Sequence, residues 1–284
     1  MIKKTNTILD KIVDDVRLDI QKKKCKFTLE DLISLTNNLN RNLVSLKDRI
    51  VHRSRLSPEN AKMSIIGEIK RASPTKGIFD TNFVAVDVAN AYAKSGVSAI
   101  SVLTEQDNFL GKLDDLKDCY EFLTKHYSNA RPAILRKDFI VDSYQIYESY
   151  INGADAFLLI AKLLDKNDLS SFYKLGKELG MQSVVEIQNV EELDTVLSLG
   201  VEIIGINNRN LEDFSEDIST TIALSSKIPK NIVVVSESGI KKQEDVKVLL
   251  SSNVQGVLIG EAFLIGGFDS KKLLDRVHSL MLVE

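Results

Sequence analysis

The segment Gly67-Glu68-Ile69-Lys70-Arg71-Ala72-Ser73-Pro74 follows the apolar run Met63-Ser64-Ile65-Ile66 and carries a carboxylate and an ammonium to the end of what reads as a strand. Side chains alternate along a strand, so Glu68 and Lys70 share one face while Ile69 lies on the other. Such a pair can hold a polar substrate or move protons. It can equally be a structural ion pair. Later apolar runs end in the same manner, with Thr104-Glu105, Lys137-Asp138, Glu186, Asn207 followed by Arg209, and Glu237-Ser238. Buried carboxylates and lysines are uncommon unless paired. Several of them converging on one mouth would form a polar network with shifted pKa values, the setting of general acid–base chemistry.

Two more run ends suggest an anion site. Ser238-Gly239 closes one run, and Ile259-Gly260 closes another just before a short helical stretch at Glu261–Leu264. Glycine lets a ligand oxygen approach the backbone, and the N–H groups at a helix start favour negative charge. The alternative is that these glycines only make tight turns. Glu261 would repel a phosphate if it pointed inward, so either it faces away or the anion site lies elsewhere.

These residues need elements to position them. Short apolar segments near 63–70, 99–104, 133–138, 156–160, 182–187, 202–207, 232–237 and 256–260 read as strands. Amphipathic segments between and after them read as helices: 84–95, 113–125, 143–152, 167–179, 190–199, 219–226, 241–250 and 270–282. Gly96, Gly153, Gly180 and Gly200 each stand where a helix ends shortly before the next strand. Eight βα units in succession predict an α/β chain folded as a (β/α)8 barrel, with reacting groups at the C-terminal strand ends. An open doubly wound sheet is the runner-up, weakened by the lack of a G-x-G-x-x-G turn after the first strand.

Ahead of the barrel, Ile8, Ile12, Val13 and Val16 fall at helical spacing, a second helix begins near Leu29, and 53–58 reads as a connector. The basic run Lys22-Lys23-Lys24-Cys25-Lys26 reads as a solvated face. The expected layout is a helical extension over 1–60 capping a catalytic barrel over 61–284, together one integrated domain.

Composition narrows the function. The 284 residues with 44% apolar content suffice for one large core, and a net charge of −3 argues against bulk nucleic-acid binding. Cys25 and Cys119 lack metal-ligand or CxxC spacing and read as reduced structural thiols, while His52, His126 and His278 are too scattered to announce a metal site. No apolar run approaches the roughly 20 residues of a membrane span, and the start has no signal-peptide core. A cytoplasmic protein away from the membrane is expected.

The ordered set of motifs resembles one family, indole-3-glycerol phosphate synthase. It includes Glu68-Ile69-Lys70-Arg71-Ala72-Ser73-Pro74, Ser101-Val102-Leu103-Thr104-Glu105, Arg136-Lys137-Asp138-Phe139-Ile140, Gly153-Ala154-Asp155-Ala156, Gly205-Ile206-Asn207-Asn208-Arg209-Asn210-Leu211, Ser236-Glu237-Ser238-Gly239-Ile240 and Leu258-Ile259-Gly260-Glu261, spanning residues 60–265. The resemblance implies a TIM barrel whose N-terminal helices help cover the mouth. It implies ring closure, decarboxylation and dehydration of 1-(2-carboxyphenylamino)-1-deoxyribulose 5-phosphate in tryptophan biosynthesis, with no cofactor or metal. It further implies a monomer with a small phosphorylated substrate and no required protein partner, and with the sequence closing after the eighth helix no fused phosphoribosylanthranilate isomerase barrel is expected.

Residue by residue, Lys137 matches the family's general acid, with a pKa that nearby cations or burial can lower. Lys70 matches the lysine that holds the substrate carboxylate, and Glu186 the base. Glu68 orients a lysine and the substrate hydroxyls, Asn207 donates a hydrogen bond, and Arg209, Glu237 and Ser238 complete the polar ring. Ser73, Gly239 and Gly260 match positions beside the phosphate. Phe109, Phe139 and Leu158 would form the slot for the aromatic ring, although each is also ordinary core material. Two rival readings stay open: a Schiff-base aldolase acting through Lys137, and a phosphosugar-binding protein without catalysis.

Overall fold

The computed structural model describes residues 2–54, 63–74, 76–210 and 214–281. Eight parallel strands close a barrel: β1 (Ser64–Ile69), β2 (Ala99–Leu103), β3 (Ala133–Lys137), β4 (Ala156–Ile160), β5 (Gln182–Ile187), β6 (Ile203–Asn207), β7 (Val233–Glu237) and β8 (Gly256–Ile259). Each strand pairs with its sequence neighbours, and β8 returns to β1 through pairs such as Gly67 with Ile259. The strands are buried on both faces, which their near-continuous Val and Ile content demands of a sheet wrapped by helices. All eight expected strands are therefore present, and the open-sheet alternative is excluded.

Among the described residues three helices precede the barrel: α1 (Ile8–Lys26), α2 (Leu29–Asn38) and α3 (Leu46–Ser54). The strands are followed by α4 (Ala85–Ser95), α5 (Leu113–Tyr127), α6 (Ser143–Ile151), α7 (Lys166–Glu178), α8 (Val190–Leu197), α9 (Ser219–Ser225) and α10 (Gln243–Leu250). After β8 come the short α11 (Glu261–Leu264) and then α12 (Ser270–Met281). The four glycines expected to end helices all have positive φ, between 67° and 97°. Cys119 is buried and Cys25 exposed, both as free thiols.

Helix α1 buries Leu9, Ile12, Val13, Val16 and Ile20, one stripe at helical spacing. Its basic last turn is more than a solvated face. Lys23 Nζ lies 3.1 Å from Glu148 Oε1, and Lys24 Nζ lies 2.7 Å from Asp142 Oδ2, so two lysines dock α1 onto α6. Helix α2 also packs on α6, and its start is fixed by a Thr28–Asp31 capping box.

Helix α3 and a two-residue hairpin, Ala72–Ser73 with Gly77–Ile78, were not expected from the sequence. Helix α3 lies against β1, β2, β3 and β7 with Leu46 and Ile50 fully buried. Ser64 Oγ at the start of β1 donates to Ile50 O at 2.7 Å, which places α3 beneath the N-terminal ends of the strands. Of the expected connector, Arg53 and Ser54 end α3, and 55–58 lie outside the described residues, as do Leu211 and Leu282.

Candidate active site

Strand parity delivers the charged groups to one place. Lys137 ends β3, Glu186 lies near the end of β5, Asn207 ends β6 and Glu237 ends β7. Lys137 Nζ sits between two carboxylates, 3.0 Å from Glu186 Oε2 and 2.9 Å from Glu237 Oε2. Beside it, Lys70 Nζ lies 2.6 Å from Glu68 Oε2. Asn207 Nδ2 donates to Glu186 Oε1 at 3.1 Å, and Asn207 Oδ1 accepts the Arg209 N–H at 3.0 Å. These groups line a cavity of about 760 Å³ at the C-terminal strand ends.

Two glycines make room for the acids. In β6, Gly205 stands in register with Glu186, and a Cβ there would collide with Glu237 Oε1. A Cβ on Gly260 would lie 2.5 Å from Glu68 Oε2. Gly260 thus has a reason to be glycine that is separate from any turn or anion.

Three carboxylates share two ammonium groups, and their environments separate their proton affinities. Burial works against the Lys137 ammonium, but Glu186, Glu237 and Glu68 outweigh it and push its pKa up. The lowering expected from cations or burial is therefore not met. Burial raises Glu237, Glu186 and Glu68 add to the rise, and Lys137 offsets only part, leaving Glu237 at about 7. Burial opposes ionisation of Glu68 too, yet Lys70 and Lys137 hold it below the usual glutamate range. An imine-forming lysine attacks as the neutral amine, so the carboxylates around Lys137 work against the aldolase reading.

All the residues matched to the family's site line this one cavity: Glu68, Lys70, Ser73, Phe109, Lys137, Phe139, Leu158, Glu186, Asn207, Arg209, Glu237, Ser238, Gly239 and Gly260. Phe109 and Phe139 form an apolar wall with ring centroids 6.0 Å apart. Ser238 and Gly239 have φ of 65° and 75°, a sharp turn directly after β7. Ile8, Leu9 and Ile12 of α1 line the cavity from the N-terminal side of the chain.

Three expectations change. Thr104 and Glu105 are absent from the lining: Thr104 Oγ1 donates to Asp138 Oδ2 at 2.5 Å, and the Glu105 carboxylate turns into its own loop. Glu261 does not face away, because its carboxylate lines the cavity 3.6 Å from Arg209 Nη2 and 3.8 Å from Lys76 Nζ. Those cations offset the repulsion it would exert on a phosphate. Lys241 and Lys242 line the same region and were not singled out beforehand, although they directly follow Ser238-Gly239-Ile240. Glu216, also unforeseen, joins Arg209 at 2.5 Å to Lys241 at 3.1 Å. Among the described residues no helix is long and apolar enough to cross a membrane.

A family model described as indole-3-glycerol phosphate synthase matches residues 9–276. The chain is 42% identical over 276 residues to an indole-3-glycerol phosphate synthase of Clostridium kluyveri, covering 96% of this chain and 99% of that protein. It is 44% identical over 257 residues to one of Clostridium acetobutylicum, covering 90% and 92%. Among solved structures it resembles the tryptophan synthase alpha chain of Legionella pneumophila, with a TM-score of 0.60 at 11% identity, covering 82% of this chain and 95% of that one. That last likeness concerns the fold alone.

Proposed function

The chain belongs to the indole-3-glycerol phosphate synthase family, carboxy-lyases of tryptophan biosynthesis, and from that premise we propose how its cavity performs the reaction. The substrate is 1-(2-carboxyphenylamino)-1-deoxyribulose 5-phosphate. Its aromatic ring rests against Phe109, Phe139 and Leu158, and its phosphate lies by Ser73, Gly239 and Gly260. The ring carbon bearing the carboxylate attacks the ribulose ketone, and Lys137 gives a proton to the ketone oxygen as negative charge develops there. The carboxylate, held until then by Lys70, leaves as carbon dioxide and returns its bonding electrons to the ring. Lys70 next protonates the new hydroxyl, which departs as water, and Glu186 removes the remaining ring proton to restore aromaticity.

The observation that carries this reading is the Lys137 ammonium held about 3 Å from both Glu186 and Glu237. Its raised pKa keeps the acid fully protonated at neutral pH. An alkoxide forming at the ketone is basic enough to take that proton. Glu68 keeps Lys70 in place, Asn207 fixes the Glu186 carboxylate, and Arg209 with Ser238 contacts the substrate hydroxyls. Glu237 accepts or releases a proton as the charge on Lys137 changes. The same reading takes residues 1–60 as a cap integrated with a barrel over 61–284, supported by the continuous core that joins α1 and α3 to the strands. It also takes the chain as a cytoplasmic monomer.

The direct test mixes purified protein with the substrate, without added metal, and follows indole fluorescence beside Lys137→Ala. Growth of signal in the parent and its near absence in the variant are expected. A folded, substrate-binding parent that gives no signal would return the binding-protein reading.

A further inference from the structure

Glu105 is 4% exposed and stands just past the end of β2, without lining the cavity. Its carboxylate accepts four hydrogen bonds from its own loop. Oε1 takes the Asp107 N–H at 3.2 Å and Asn108 Nδ2 at 2.9 Å. Oε2 takes the N–H groups of Asn108 and Phe109, both at 2.9 Å. The loop is closed again at its base, where Gly111 N donates to Glu105 O at 2.7 Å and Leu110 N to Gln106 O at 3.1 Å.

The residue after Phe109 shows why the closure is needed. Leu110 has φ of 55°, a left-handed conformation that side chains other than glycine rarely adopt. Such backbone persists only where surrounding contacts over-determine it. Gly111 supplies one constraint, since a Cβ there would collide with Leu103 O. The Glu105 carboxylate supplies the other. What the loop presents is Phe109, whose ring faces Phe139 across the apolar wall.

We propose that Glu105 is a positioning residue for the aromatic end of the substrate: its carboxylate sets the loop that places Phe109, and so governs ring binding without touching the ligand. This rests on the reaction proposed above. A carboxylate suits the task because both oxygens accept, whereas a glutamine offers one acceptor and one donor group to the same four donors. An isolated ring wall on a mobile loop would lose contact area with the substrate ring, while the phosphate end, built from the loops after β1, β7 and β8, would be untouched.

The test separates the two ends of the ligand. In Glu105→Gln the KM for substrate should rise about ten-fold, as expected when hydrogen bonds to a charged group are lost, with kcat little changed. Competitive inhibition by inorganic phosphate should keep its inhibition constant within about two-fold. An unchanged KM, or a rise in KM matched by equal weakening of phosphate inhibition, would overturn the proposal. Should the glutamine variant fail to fold, Asn108→Ala removes one donor and leaves the carboxylate. Its KM should rise about three-fold with phosphate inhibition unchanged, and an unaltered KM again overturns the claim. A parent that does not turn over the substrate would count against the reaction instead. The loop would then be judged by 2-aminobenzoate binding, where weaker binding in the variant supports the assignment and equal binding refutes it.

Discussion

Two buried charge clusters sit at opposite ends of the barrel and solve different problems. At the N-terminal end, Asp155 ahead of β4 receives Arg131 through both oxygens, at 2.5 and 2.8 Å. It also accepts the Ile134 N–H at 2.8 Å and the Val44 N–H at 3.0 Å. Arg41 stands 3.6 Å away, donates to the carbonyls of Tyr150 and Ala154, and lies over the Tyr120 and Tyr150 rings. There, planar forks meet one carboxylate and backbone groups, a geometry that fixes every partner. Around Lys137 at the mouth, lysines stand in place of arginines, three carboxylates meet two ammonium groups, and the cluster opens on a cavity. Point charges on flexible stems with surplus acids can exchange protons; forks locked onto a single acid cannot. Burial of charge alone does not mark a reactive site, but the choice of lysine and an excess of acids beside open space does.

If that contrast is right, the two clusters should rank in opposite order for activity and stability. Lys137→Ala should lower kcat about 10³-fold, the scale of a lost general acid. Glu186→Gln should lower it about 10²-fold with phosphate inhibition unchanged. Asp155→Ala should leave turnover of the folded enzyme near that of the parent, yet cost about 3 kcal/mol in urea unfolding, because two buried guanidinium groups lose their counter-charge. Equal losses of stability in Lys137→Ala and Asp155→Ala would break the comparison.

A subtler effect follows from Glu237. Its pKa of about 7 in the folded protein exceeds the ordinary 4.5, so the folded state holds this proton more tightly than the unfolded chain. Stability should therefore fall as pH rises from about 5 through 7. Glu237→Gln should flatten that slope in urea titrations, and it should remove any inflection near pH 7 from kcat/KM. A slope that survives the substitution would place the titration elsewhere. The smallest effect sets the floor: Lys177 and Glu202 pair at 3.1 Å with side chains 55% and 40% exposed. Lys177→Ala should shift unfolding by about 0.5 kcal/mol or less.

The barrel was legible because its strands are apolar runs of fixed length, separated by helices that end in glycine. The polar lining of the cavity was legible through strand parity, which places Glu68, Lys137, Glu186, Asn207 and Glu237 on the inner face. Parity still holds for Lys70, one residue past β1, but gives out where the backbone turns: two residues beyond β2, local N–H groups capture the Glu105 carboxylate. Helix α3 was missed because its nine residues are predominantly polar, with only Leu46, Ile50 and Val51 to mark an apolar face. A signal existed in Ser45-Leu46-Lys47-Asp48, since Ser45 Oγ accepts the Asp48 N–H at 3.1 Å as a capping residue does. The docking of Lys23 and Lys24 onto α6, and of Glu261 toward Arg209, depends on partners remote in sequence, which no local pattern announces. The rise in the pKa of Lys137 likewise needed three acids from three other strands.

Gly205 and Gly260 carry this dependence furthest. Neither offers a functional group, yet a methyl at either one occupies the space of a glutamate oxygen. In a saturation library selected for growth without tryptophan, both positions should be as intolerant as the acids they accommodate. Hydrogen at these two α-carbons is then as much a part of the catalyst's specification as any ionisable side chain.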